Sequence, residues 1–153
     1  MKLLRQSPNR WQYQLPANEA AILRGLVKKF PFTPVGPARI SRHRDARTAE
    51  REELLAEALA AQREELKRLA ADLLVEARWK ESSRGHLLTL SGESREILLQ
   101  ILNDIRLGCW HALGEPESLA PPLTKKDLVF RHLMDLAGYF ESNLLEPEDH
   151  PDQ

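Results

Sequence analysis

The chain has 153 residues, 42% apolar and 29% charged, enough for one domain burying roughly 70% of its unfolded surface, and too apolar for a disordered one. Its 22 basic and 23 acidic residues nearly cancel, so no global field draws nucleic acid or a membrane, and any such binding needs a local patch. A single cysteine excludes an intrachain disulfide and a cysteine-rich zinc site.

Abundant Leu and Ala with only seven Gly favour a helical, soluble protein. Neither a signal-peptide-like apolar run at the N-terminus nor about 18 consecutive apolar residues anywhere is found. A cytoplasmic location without membrane association is therefore expected.

Residues 11–15, WQYQL, alternate with period two and read as a lone strand or extended arm. Pro16 opens a helix in which Ile22, Leu23, Leu26, Val27 and Phe30 recur at helical spacing, until PFTPVGP at 31–37 breaks it. A long helix is predicted over about 46–80, since 48–79 hold neither Pro nor Gly. At roughly 30 residues it spans about 45 Å. Along it Leu55, Leu59, Gln62, Leu66, Leu69 and Leu73 step by four and three, a heptad seam suited to packing within the chain or across a homodimer.

ESSRG at 81–85 ends that helix, and HLLTL at 86–90 is a second short apolar stretch able to pair with 11–15. Ser91 is placed as the N-cap of the next helix, with Gly114 as its stop. Thr124 with Asp127 marks the start of a last helix carrying Val129, Leu133, Leu136, Phe140 and Leu144. The expected fold is all-α or nearly so: four main helices, with a minimal two-stranded ribbon from 11–15 and 86–90 as its only sheet. Residues 1–146 form a single helical domain, and 147–153 an acidic flexible tail.

The third helix holds QILNDIRLGCW, 100–110, where Asn, Asp, Arg and the lone cysteine crowd together. At about 100° per residue, Ile97, Leu98, Ile101, Leu102, Ile105, Gly108, Cys109 and Ala112 share one arc of about 140°, the core face. Cys109 thus reads as a small buried hydrophobe, and Gly108 as a point of close approach. Asp104 and Arg106 lie about 160° apart and cannot pair along the helix. Asp104 falls on a solvated flank. Leu99, Asn103, Arg106 and Trp110 fall on the other, which forms a candidate interaction flank with Arg106 placed to stack on Trp110.

Arg39, Arg42, His43, Arg44 and Arg47 crowd into ARISRHRDAR at 38–47, a candidate anion or nucleic-acid patch. The five histidines have no metal-motif spacing, and no Walker loop, GxGxxG or GxSxG occurs. No catalytic residue, metal or cofactor is therefore assigned.

ILLQILNDIRLGCWHALGEP at 97–116, with LPANEAAILRGLV at 15–27 and the long charged helix between them, resembles a bacterial family of unknown function with an LNDIRL-like segment. The resemblance implies a mainly helical cytoplasmic protein. Some relatives are described as transcription regulators responding to oxidative stress, and others are encoded near a protease adaptor. The redox-responsive branch relies on two cysteines, whereas this chain has Cys109 alone. The expectation is a non-enzymatic protein acting by protein association, as a homodimer, with a regulatory role open to it. The alternative is a DNA-binding transcription regulator using Arg39–Arg47, and behind it an enzyme with a pocket assembled from several helices.

Overall fold

A computed structural model describes residues 1–32, 46–118 and 124–146. In chain order the elements are β1 (Lys2–Ser7), β2 (Arg10–Leu15), α1 (Ala17–Lys28), α2 (Ala46–Leu73), a single 3-10 turn (Glu76–Arg78), β3 (Trp79–Ser82), β4 (Gly85–Leu90), α3 (Gly92–Ala112) and α4 (Lys125–Leu145). The expected all-α fold is corrected: the four strands form one antiparallel sheet in the order β1-β2-β4-β3, an α+β architecture. The pairing of 11–15 with 86–90 is present, Trp11 opposite Leu90 through Leu15 opposite His86. Rather than an isolated ribbon, it is the centre of the sheet.

Both outer strands escape simple pattern reading for physical reasons. In β1, Leu3 opposes Tyr13 while Arg5 opposes Gln12, and the register shifts between them. Leu4 is the extra residue of a bulge, so alternation is lost across KLLRQS. β3 follows a run of helix formers with no Gly or Pro between, which is why the long helix was expected to reach about residue 80. It ends instead at Leu73. The Arg78 Nε donates to the Asp72 carbonyl (3.0 Å) and the Trp79 indole to the Leu73 carbonyl (2.8 Å), so side chains from beyond the helix occupy its last carbonyls.

Period two then sorts the sheet into a covered and an open face. Tyr13, Leu15, Trp79, Leu88 and Leu90 are buried and join Leu23, Leu26 and Val27 of α1, Ala70 and Leu73 of α2, the core stripe of α3, and Ala137, Phe140 and Leu144 of α4 in one cluster. Gly85 closes the β3–β4 hairpin at φ 119°, where a Cβ would lie 2.1 Å from the Leu15 carbonyl oxygen, so only glycine fits this turn.

The helix ends carry the expected caps. Ser91 Oγ accepts from the Ser94 amide and Thr124 Oγ1 from the Asp127 amide, both at 3.1 Å. The predicted core arc of α3 is buried throughout except at Ala112, which is exposed. Gly108 admits the Phe32 ring, whose Cδ1 would lie 2.4 Å from a Cβ there. Contacts of α2 with α3 fix their direction: Arg63 meets Asp104, and Arg78 just past the helix meets Ser94, so the two run antiparallel. From the Asp104 crossing, α3 continues eight residues to Ala112, while α2 reaches back seventeen to Ala46. At 1.5 Å per residue, α2 overhangs the end of α3 by about 13 Å.

Candidate functional site

The predicted flank of α3 is dispersed by its neighbours. Arg106 turns to α4, its Nη1 2.6 Å from Glu141 Oε2. Trp110 donates its indole N–H to the Pro116 carbonyl (3.1 Å) and lies against His111, ring centres 5.3 Å apart. The expected stacking of Arg106 on Trp110 does not occur. Cation–π contacts among the described residues are Arg24 on Trp79, Arg95 on Trp11 and Lys126 on Phe130. Leu99 is half-buried against the core, and Asn103 is exposed without a hydrogen bond among the described residues. Four residues aligned on one wheel flank thus go to α4, a loop, the core and solvent.

Asp104, expected on a solvated flank, does more than its wheel position suggests. Its side chain is only 18% exposed. Its Oδ2 accepts from the Phe32 amide at 2.8 Å, and its Oδ1 lies 3.7 Å from Arg63 Nη2. One carboxylate therefore anchors the segment after α1 and marks where α2 crosses α3. Cys109 is fully buried. Burial pushes its thiol up to about 11 against a smaller opposing pull from Lys29, which keeps it protonated and unreactive at neutral pH.

Of the basic stretch, Arg39, Arg42, His43 and Arg44 lie outside the described residues, as does the tail at 147–153, while Arg47 is exposed in the first turn of α2. Beyond Arg47 the heptad seam divides. Leu66 and Leu69 pack on the core and Leu73 is buried, but Leu59 is 47% exposed and Leu55 36%, with Leu54 beside them at 66%.

A second surface was not legible in the sequence, because its residues come from four strands. The register sets Lys2, Gln14, Leu87 and Lys80 in one row across the sheet, and Arg5, Gln12 and Thr89 in the next, with Ser7 and Arg10 completing the open face. Lys2, Arg5, Arg10 and Lys80 are exposed and make no ion pair among the described residues. Gln12 donates to Thr89 Oγ1 (3.3 Å), and Gln14 to Ser82 Oγ (3.2 Å) and the His86 carbonyl (3.4 Å). Alternation in WQYQL was the available signal, since it already put Gln12 and Gln14 on a face of their own.

Among the described residues, no three of His, Cys, Asp and Glu gather to hold a metal, and no helix is long and apolar enough to cross a membrane. Comparison with family models, curated proteins and solved structures gives no match, so a functional reading rests on this geometry.

Proposed function

We propose that the protein works by protein association, first of all with a second copy of itself, through the N-terminal half of α2. The observation that carries this is the overhang: a seam that is covered at Leu66, Leu69 and Leu73 continues to Leu59 and Leu55, which stand exposed and are not packed into the core by the other described residues. Exposed leucines on consecutive turns form an apolar stripe, which is costly to leave in water at roughly 25 cal/mol per Å². A Leu seam of alternating fours and threes matches another of the same kind, and a second copy necessarily carries one. An interface built on so short a stretch of helix belongs to the small class, below roughly 1,200 Å², typical of transient contacts.

Sedimentation equilibrium from about 1 to about 200 µM covers the affinity of such an interface. The mass is expected to rise above the 17.5 kDa chain with concentration, and Leu55→Lys with Leu59→Lys to abolish the rise without changing helical content. A chain that stays monomeric throughout, or a double variant that associates like the parent, refutes the proposal.

A further inference from the structure

The open face of the sheet is chemically one-sided. A chain of net charge −1 places Lys2, Arg5, Arg10 and Lys80 on this face, and the register brings no carboxylate there, since Glu81 pairs with His86 on the opposite side. The bulge at Leu4 contributes directly. Leu3 keeps its place against Tyr13 on the covered side, and the extra residue lets Arg5 emerge opposite Gln12 on the open side, the re-aiming of a side chain for which bulges are known. Arg5 and Arg10 also line, with Gln6, Ser7 and Gln12, a shallow depression of about 340 Å³. Two guanidinium groups, the Gln12 amide and the Ser7 hydroxyl on the open side of the register form a donor-rich surface for an anion.

We propose that this face binds the phosphodiester backbone of single-stranded nucleic acid, with little preference for sequence. Arginine forks match phosphate oxygens bidentately. The cations lie at the margins: Lys2 and Lys80 end one row across four strands, about 14 Å apart at 4.7–4.9 Å per strand. Between them Gln12, Gln14 and Thr89 offer hydrogen bonds to sugars and base edges. The groove of a duplex admits a helix or a two-stranded ribbon, and a four-stranded face is too broad for it, so a single strand lying across the sheet is the form that fits. Among the described residues no aromatic ring stands on this face, so phosphate contacts dominate over base stacking. The lack of aromatics, with Leu87 the one large apolar group that the register places there among the described residues, also makes it a poor surface for insertion into a bilayer.

The test is fluorescence anisotropy of the full chain with labelled oligo(dT) and oligo(U), each about 20 nucleotides long, from about 50 to about 200 mM salt. Four phosphates neutralised on a single strand give a log–log salt slope of about −3. Arg5→Ala with Arg10→Ala is expected to weaken binding at least about tenfold and to flatten the slope by about 1.4. Arg5→Lys with Arg10→Lys retains most of the slope, and Lys125→Ala with Lys126→Ala, removing the same charge from α4, leaves binding close to the parent's. Unchanged circular dichroism keeps the comparison one of binding. The proposal is overturned by failure to bind either oligonucleotide at low salt, by equal losses in the sheet and α4 variants, by duplex bound more tightly than single strands, or by equal affinity for polyglutamate. Binding to anionic vesicles but not to oligonucleotides also overturns it, identifying the face as a lipid surface.

Discussion

The two halves of α2 share a composition, a helical period and a leucine seam, yet the seam of one is core and that of the other is exposed. Leu73 and Ala70 are buried and Leu66 and Leu69 pack on the core, whereas Leu54, Leu55 and Leu59 stand exposed. The difference lies outside the helix. α3 runs antiparallel to α2 and stops eight residues past their crossing, and no pattern within 46–73 records where a neighbour ends. A hydrophobic period thus identifies a face that seeks cover, and the length of the surrounding elements decides whether the same chain supplies it.

Truncation at the packed end gives the largest effect expected on folding. Leu73→Ala removes a side chain 3% exposed from the junction of α2 with β3 and α3, and such cavities cost about 2–5 kcal/mol. Urea unfolding followed by circular dichroism measures it. A loss under about 1 kcal/mol would mean that this end of α2 is no more embedded than the other, and the contrast between the halves would fail.

Asp104, at the crossing, comes next. Asp104→Ala leaves the Phe32 amide without its side-chain acceptor and removes the Arg63 contact, a loss of about 1–3 kcal/mol for an unsatisfied, partly buried donor. Asp104→Asn keeps an oxygen for that amide, and a partly exposed pair at 3.7 Å is worth at most about 1 kcal/mol, so the asparagine variant should retain most of the stability. Equal losses in the two would assign the role to charge rather than to the hydrogen bond.

What was legible in the sequence is what is local. The cap at Ser91, the capping signal at Thr124, the stripe from Ile97 to Cys109 and the pairing of 11–15 with 86–90 follow from spacing alone, and the structure contains each. β1 stayed hidden because the bulge at Leu4 breaks its alternation, and β3 because WKES follows a helical run without punctuation. At the candidate sites the wheel put Leu99, Asn103, Arg106 and Trp110 on one flank, yet it cannot see Glu141 or Pro116 arriving from elsewhere in the chain. The basic sheet face was harder still. Lys80 lies far along the chain from Lys2, Arg5 and Arg10, and only the strand order brings it onto their surface.

The smallest expected effect on folding separates cover by the chain from cover by a partner. Leu59→Ala, at 47% exposure, removes atoms that are largely wet in the monomer, and alanine is the better helix former, so measured at low concentration its stability should change by less than about 0.5 kcal/mol. Under self-association the same substitution removes a buried contact between copies, so its cost should grow as concentration is raised above the dissociation constant, because a bound partner stabilises the folded state by mass action. Denaturation midpoints of parent and variant at two concentrations about a hundredfold apart read this directly. A gap that widens with concentration assigns the overhanging seam to a second chain. A gap that is already large in the dilute protein means that Leu59 is held by its own chain and that the halves of α2 differ less than their exposures indicate.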